Sequence, residues 1–287
     1  MLIGYVALTL RVILLGTERI FLKKLERYNS VGVASLFFLI AGVLLSPVIF
    51  FIPSNAYHIP LKTFLLAILS SSAYAIGFFA YVKAISLGDT SLVAPLYNSS
   101  ILWLMILGLL FLGDDVTVFR AAGGLLMFIG LFFLYRGSLK EKIKAILESK
   151  SSLLMIMGSL FIAFGRTLDT LIIRTINEIL YAWLTNFLIG SILLVYLLVR
   201  GTRFPDLRAI IQGEPKHLFF ASLSNGWSYL FLLIAIQNLQ VTVAEPISLL
   251  STFVTAFLAK KYLDEMVEER LLGMVIMIVG AVFVLTL

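Results

Sequence analysis

Eight ionisable residues fall inside stretches that are otherwise apolar: Arg11, Glu18, Arg19, Lys83, Arg166, Asp169, Arg174 and Glu245. A charge in hydrocarbon costs roughly 2.5–3.5 kcal/mol on insertion scales, so such groups face a protein interior or a water-filled path, where they pair, hold solutes or carry protons. Arg11 and Glu18 are seven residues apart and Arg166 and Asp169 three apart, so each pair shares one face of a helix. At about 1.5 Å per residue, Arg11 lies near the middle of its helix, and Glu18, Arg19 and Lys83 near one membrane face. Arg166, Asp169, Arg174 and Glu245 lie toward the other face. This grouping predicts gates. Glu18 with Arg19 or Lys83 closes one side, and Arg166 and Arg174 with Asp169 or Glu245 close the other. The alternatives are permanent ion pairs between helices and side chains snorkelling to headgroups. Glu245 precedes Pro246, which removes a backbone donor and loosens the helix. A carboxylate there suits proton exchange, and equally a helix-start acid favoured by the dipole.

Bond-making chemistry finds no residues to perform it. His58 and His217 lie in or beside loops, and the chain contains no His-Glu-x-x-His, no Gly-x-Ser-x-Gly elbow and no phosphate loop. With no cysteine, thiolate metal sites and disulfides are excluded. The sequence therefore predicts neither an enzyme nor a metal or cofactor protein, and no ATP-driven step. Of its 287 residues 61% are hydrophobic and 13% charged, against about 45–50% and 25% in soluble domains. A soluble domain could not cover that much apolar surface. The net charge of +6 reads as loop lysine and arginine at a membrane surface, with no nucleic-acid partner.

The elements that must position these charges follow from length. A helix needs about 20 apolar residues to cross the hydrocarbon layer. Ten runs qualify, near residues 2–22, 31–52, 62–86, 90–112, 116–135, 152–174, 179–199, 216–238, 241–261 and 270–287. The run at Met1 lacks a basic n-region and a cleavage site, so it reads as a retained helix. The halves repeat. Pro95 and Pro246 are 151 apart, Arg120, Gly123, Met127 and Gly130 recur 150 later as Arg270, Gly273, Met277 and Gly280, and Arg11 and Arg19 recur 155 later as Arg166 and Arg174. Each half, 1–137 and 150–287, carries five spans. Five is odd, so the second half crosses upside down relative to the first, an all-α membrane fold of two inverted five-helix repeats around a midplane site. Pro95 has Ala94 before it, so the acid before proline belongs to one half only.

Side A denotes the face that carries both termini. Side B loops hold fifteen Lys and Arg, including the stretch from Arg136 to Lys150, against three on side A, namely Lys62, Arg120 and Arg174. By the positive-inside rule side B is cytoplasmic. The acidic turns Asp114-Asp115 and Asp264-Glu265 read as solvent-facing caps at helix starts.

The run from Lys83 through Ser86-Leu87-Gly88-Asp89 and Val93-Ala94-Pro95-Leu96 to Leu112-Gly113-Asp114 and Gly123-Gly124, repeated as Val243-Ala244-Glu245-Pro246, Leu263-Asp264-Glu265 and Gly273 to Gly280, resembles the EamA-type repeat of the drug/metabolite transporter superfamily. The resemblance covers essentially the whole chain. The second copy departs from it in lacking the glycine of the acidic turn, and ten-span relatives usually carry both termini in the cytoplasm, opposite to the loop count. The resemblance implies a multi-pass protein of the cell membrane, a secondary transporter of small organic metabolites by alternating access. It also implies a cavity lined by spans one, three, four, six, eight and nine. Polar candidates there are Arg11, Arg166, Ser72, Asn98, Ser99, Ser100, Asn225, Ser228, Ser248, Ser251 and Thr252, and aromatic ones Tyr5, Tyr74, Tyr81, Tyr97, Trp103, Trp227 and Tyr229. A serine or threonine in a membrane helix is otherwise a packing residue bonded to the i−4 carbonyl.

The reading is an exporter of amino acids or related metabolites, with proton coupling open and assembly as monomer or homodimer. Uptake or exchange of an anionic metabolite is the alternative within transport, and a membrane scaffold or lipid-handling protein the alternative outside it. A closed, polar-lined midplane cavity favours transport; a long apolar cavity open to lipid favours lipid handling.

Overall fold

The computed structural model describes residues 2–113, 117–133, 138–201, 204–239 and 241–285. Arg136, Arg203 and the turn Asp114-Asp115 lie outside them, as does the side chain of Arg120, so that part of the loop count and that cap concern residues beyond the described ones. The described residues contain helices and no strand.

The first half comprises α1 (Leu2–Lys23), α2 (Ser30–Ile49), α3 (Leu61–Leu87), α4 (Thr90–Leu96), α5 (Ser100–Leu107) and α6 (Val118–Phe132). A short amphipathic helix α7 (Leu139–Glu148) leads to α8 (Lys150–Ile172), α9 (Glu178–Val199), α10 (Phe204–Gly213), α11 (Pro215–Asn238), α12 (Val241–Ser248), α13 (Ser251–Leu263) and α14 (Leu271–Leu285). Six segments are long and apolar enough to cross a membrane, namely α2, α3, the run 90–112, α8, α9 and α11. The 22 residues of α1 suffice in length, but Arg11, Glu18, Arg19 and Lys23 lower its hydropathy. α6 and α14, at 15 residues each, are shorter than a full crossing.

Local sequence sets the boundaries. Asn29 accepts from the N–H groups of Val31 and Gly32 at the start of α2, and Asn177 does the same for Ile179 and Leu180 at the start of α9. Pro95 and Pro246 each stand within two residues of the end of a short helix, α4 and α12, where the span breaks into 3₁₀ or turn geometry before α5 and α13. Two segments expected as loops fold instead. In α7, Ile143, Ile146 and Leu147 recur at helical spacing, and Ser138 and Glu141 form a capping box. Hydrogen bonds from the Ser138 backbone and side chain hold the Glu141 carboxyl below its usual range. α10 buries Leu207 and Ile210 in the same way. The charges in both segments hid an apolar face.

Packing pairs the halves reciprocally. A Cβ added at Gly42 of α2 would meet the Phe187 ring at 2.8 Å, and one at Gly190 of α9 would meet Leu39 at 2.7 Å. Likewise Gly130 of α6 approaches Met277, and Gly280 of α14 approaches Met127. When residue i meets j and the repeat equivalent of j meets that of i, the contact has the signature of a two-fold axis. Close approach of glycines lets backbones touch where no hydrophobic force holds helices together.

Candidate functional site

The charges gather in two buried groups between the halves. In the first, Arg11 and Arg166, equivalent in the repeat, approach one carboxylate: Glu245 Oε1 is 2.8 Å from Arg166 Nε and 3.5 Å from Arg11 Nη2. Ser248 Oγ accepts from Arg11 Nε at 2.7 Å, and the Ser228 carbonyl and hydroxyl accept from its Nη1 at 3.1 and 3.2 Å. Arg166 also faces Asp169 at 3.4 Å, donates to the Tyr74 hydroxyl at 3.0 Å, and lies over the rings of Tyr74 and Tyr229. Asp169 accepts from Tyr74 and Tyr181 at 2.5 Å each, from Tyr229 at 2.9 Å and from Ser70 at 3.0 Å. Four hydroxyls and the Arg166 guanidinium satisfy this acid, which is what a buried carboxylate requires.

The second group lies nearer side B. The Tyr81 hydroxyl accepts from Arg19 Nε at 3.2 Å and donates to Glu18 Oε1 at 3.3 Å, while Arg19 Nη1 donates to Thr255 at 3.2 Å. Glu18 and Arg19 thus meet through a tyrosine, not as the direct pair the spacing predicted. Tyr97 stacks beneath Arg19.

Between the groups lies a central cavity lined by Arg11, Glu18, Tyr74, Tyr81, Tyr97, Arg166, Asn225, Ser228 and Tyr229, with Leu15, Phe38, Phe78 and Ile189. Its free volume is about 20 Å³, room for a water molecule and not for an organic solute. Phe38 of α2 and Ile189 of α9 extend the wall beyond the expected spans.

Several expected residues stand elsewhere. Tyr5 is 47% exposed on the outside of α1, because its position turns away from the face that carries Arg11. Trp227 packs on Phe231 at 6.0 Å, one residue off the lining face of α11. Asn98 and Thr252 line a separate pocket with Met127, Met274 and Met277, where the break after Pro95 rotates them toward α14. Trp103 lines a lateral groove one helix further out. Ser72 bonds the Ile68 carbonyl and Ser99 bonds the Leu96 carbonyl and Ser159, both as packing residues. Ser100 and Ser251 are buried with no hydroxyl partner among the described residues. Arg174 is exposed beside Gln237 and Asn238, past the helix end and out of reach of Asp169. Lys83 is half-buried, and no ion pair joins it to Glu18 among the described residues. Arg11, assigned to neither side, joins the side A group.

Sequence reasoning missed a latch on side B. Glu265 accepts from the backbone N–H groups of Thr90 and Ser91 at 2.8 and 2.7 Å, and from the Ser91 hydroxyl. Arg270 reaches Asp89 at 2.8 Å, Glu265 at 3.5 Å and Ser91. Glu265 is therefore a cap, but of α4 in the other half, and its side chain is 9% exposed instead of facing solvent. Arg27–Glu214 at 2.7 Å and Lys24 on the Tyr262 carbonyl tie the halves at the same face. The duplication was the available signal, since residues repeated in both halves can contact each other across the axis. Tyr181 and Ser70 carried no such signal.

A bundle of long apolar helices around a buried, internally paired charge cluster defines a multi-pass membrane protein. The EamA-like transporter family model matches residues 2–136 and again 149–287, and the chain belongs to that family. An uncharacterized transporter in the cobO 3′ region of Sinorhizobium sp is 40% identical over 77 residues, 24% of this chain and 55% of that protein. The chain thus spans about half the length of that curated relative. A crystal structure of a protein superposes with a TM-score of 0.58 over 99% of this chain and 96% of its own, at 14% identity, which carries the fold alone.

Proposed function

We propose that the chain crosses the membrane ten times as two inverted five-helix repeats, residues 1–137 and 150–287, and moves a small organic solute bearing a carboxylate by alternating access. Amino acids and related metabolites fit this class, export is the proposed direction, and the lysine and arginine distribution favours side B as the cytoplasmic face. The observation that carries the reading is the convergence of Arg11 and Arg166 on Glu245. Equivalent arginines from the two halves share one acid at the cavity wall, so a solute carboxylate can take the place of that acid as its hold on one arginine is released. Asp169 and its tyrosines close side A, the Glu265–Arg270 latch closes side B, and the water-sized cavity between them is that of an occluded state. Withdrawal of Glu245 would leave Arg11 without an acid, while Arg166 keeps Asp169. The same convergence favours exchange of an anionic metabolite as the second reading. Reconstitution into liposomes and an uptake screen over amino acids, amines and organic acids, with and without a pH gradient, tests both. Carboxylate-bearing solutes alone should be carried; transport confined to amines, or absent throughout, contradicts the proposal.

A further inference from the structure

Outside the central site, α5, α6, α7 and α8 enclose a lateral groove of about 610 Å³. It is lined by Leu102, Trp103 and Ile106 of α5, Phe128 and Phe132 of α6, and Ile143, Ile146 and Leu147 of α7, with Leu96, Met105 and Ile156 completing an apolar wall. Ile106 and Phe128 at its rim are exposed, so the groove opens on the outside of the bundle. Its depth follows from the helices. α7 lies at the side B end, where α6 stops and α8 begins, and the lining on the central span runs from Leu96 to Ile106. At about 1.5 Å per residue this wall runs roughly 15 Å along the span, long enough for most of an extended acyl chain. The helix that roofs it is amphipathic. Ile143, Ile146 and Leu147 line the groove, and Lys140 and Lys144 stand exposed along one edge of that face, with Lys144 3.8 Å from Glu148 and Glu141 on the far side of the helix. An interfacial helix of this kind, apolar below with lysines along the edge that borders the groove, sits at headgroup depth and draws anionic lipid.

We infer that this groove is a binding site for an anionic phospholipid, with one acyl chain between α5 and α7 and the phosphate beside Lys140 and Lys144. Neutral solutes and zwitterionic lipid would fill the apolar space equally well, so charge complementarity at the roof selects the occupant. The site is separate from the solute cavity, since Ser99 and its bond to Ser159 form the wall between α5 and α8.

Trp103 supplies the reporter. The chain has three tryptophans, and Trp183→Phe with Trp227→Phe leaves Trp103 alone in the full-length protein. In phosphatidylcholine vesicles, phosphatidylglycerol with dibrominated acyl chains should quench Trp103 to saturation at low mole fraction. The brominated phosphatidylcholine should quench only in proportion to its abundance. A preference on the order of tenfold is expected, falling to near unity in Lys140→Gln/Lys144→Gln. Native mass spectrometry of the unmodified chain should show one retained phosphatidylglycerol, lost in the same lysine variant. Equal quenching by both lipids, a linear dependence for phosphatidylglycerol, or a preference that survives the lysine changes overturns the assignment.

Discussion

Replacing Glu245 by glutamine tests the electrostatic logic of the central site. Glutamine keeps the size of the side chain and an acceptor oxygen but deletes the charge. Arg11, Arg166, Asp169 and Glu245 sum to zero, so the variant leaves one uncompensated positive charge among groups that are at most 4% exposed. Removing one partner of a buried ion pair costs about 3–5 kcal/mol. The lower end applies here, because Arg11 retains Ser248 at 2.7 Å and the Ser228 carbonyl at 3.1 Å, and Arg166 retains Tyr74 at 3.0 Å. Deleting an arginine as well restores neutrality. Arg166→Gln/Glu245→Gln should therefore cost less than the sum of its two single changes by about 2–3 kcal/mol. Unfolding in detergent, followed for the wild type, both single variants and the double variant, measures that coupling. The same series run with acetate, amino acids and dicarboxylates should show anions stabilising Glu245→Gln more than wild type. A site filled at a hundred times its dissociation constant adds about 2.7 kcal/mol. Costs that add to within about 0.5 kcal/mol, with no response to anions, refute the reasoning.

Three further outcomes follow from the geometry. Tyr181→Phe removes a 2.5 Å hydrogen bond to the buried Asp169 and should lower stability by about 1.5–3 kcal/mol, read as a drop in unfolding midpoint, with a control change at the exposed Tyr196 showing none. Arg270→Gln opens the side B latch; because Asp89 is 62% exposed, the ion pair contributes about 0.2–1 kcal/mol, and labelling of a cysteine placed at Ser228 in this cysteine-free chain should rise by no more than about fivefold. Gly280→Ala places a Cβ 2.6 Å from the Gly123 carbonyl, a backbone atom that cannot rotate away, and should cost about 1–3 kcal/mol in the same unfolding assay, whereas Gly113→Ala meets nothing within 4 Å and is penalised only by its positive φ of 67°.

What could be read from the residues depended on whether a property was local or relational. The proline breaks are local, and Pro95 and Pro246 each stand where a short helix ends; the asparagine caps at Asn29 and Asn177 are local too, although they were not singled out in the sequence. Distance along a helix also identified six charges that are buried, Arg11, Glu18, Arg19, Arg166, Asp169 and Glu245, but it misassigned some of their partners. Sorting by depth placed Arg11 apart from Arg166, although rotation of α1 against α11 and α12 brings both to Glu245. Arg174 is one helical turn beyond Asp169 in sequence and leaves the bundle where α8 ends. Tyr181 reaches Asp169 only because α9 is rotated by its packing against α2, and nothing in its own surroundings in sequence encodes that rotation. The apolar periodicity of α7 was present in the sequence but was outweighed by its lysines.

The repeat is symmetric in its arginines and asymmetric in its acids, and that difference distinguishes the two arginines. The position equivalent to Glu245 is Ala94, and the position equivalent to Asp169 by the offset of 155 is Leu14. Both acids of the cluster therefore come from the second half. Arg166 is held by Asp169 on its own helix, by Tyr74 and by two aromatic faces, whichever partner Glu245 takes. Arg11 has Glu245 as its one acid within ion-pair distance among the described residues, and its remaining partners are neutral oxygens. When Glu245 withdraws, Arg166 keeps Asp169 and Arg11 has no acid left. Under the proposed function, the first half would contribute the cation that takes a new anion and the second half the fixed counter-charges, and a single solute carboxylate would satisfy the site.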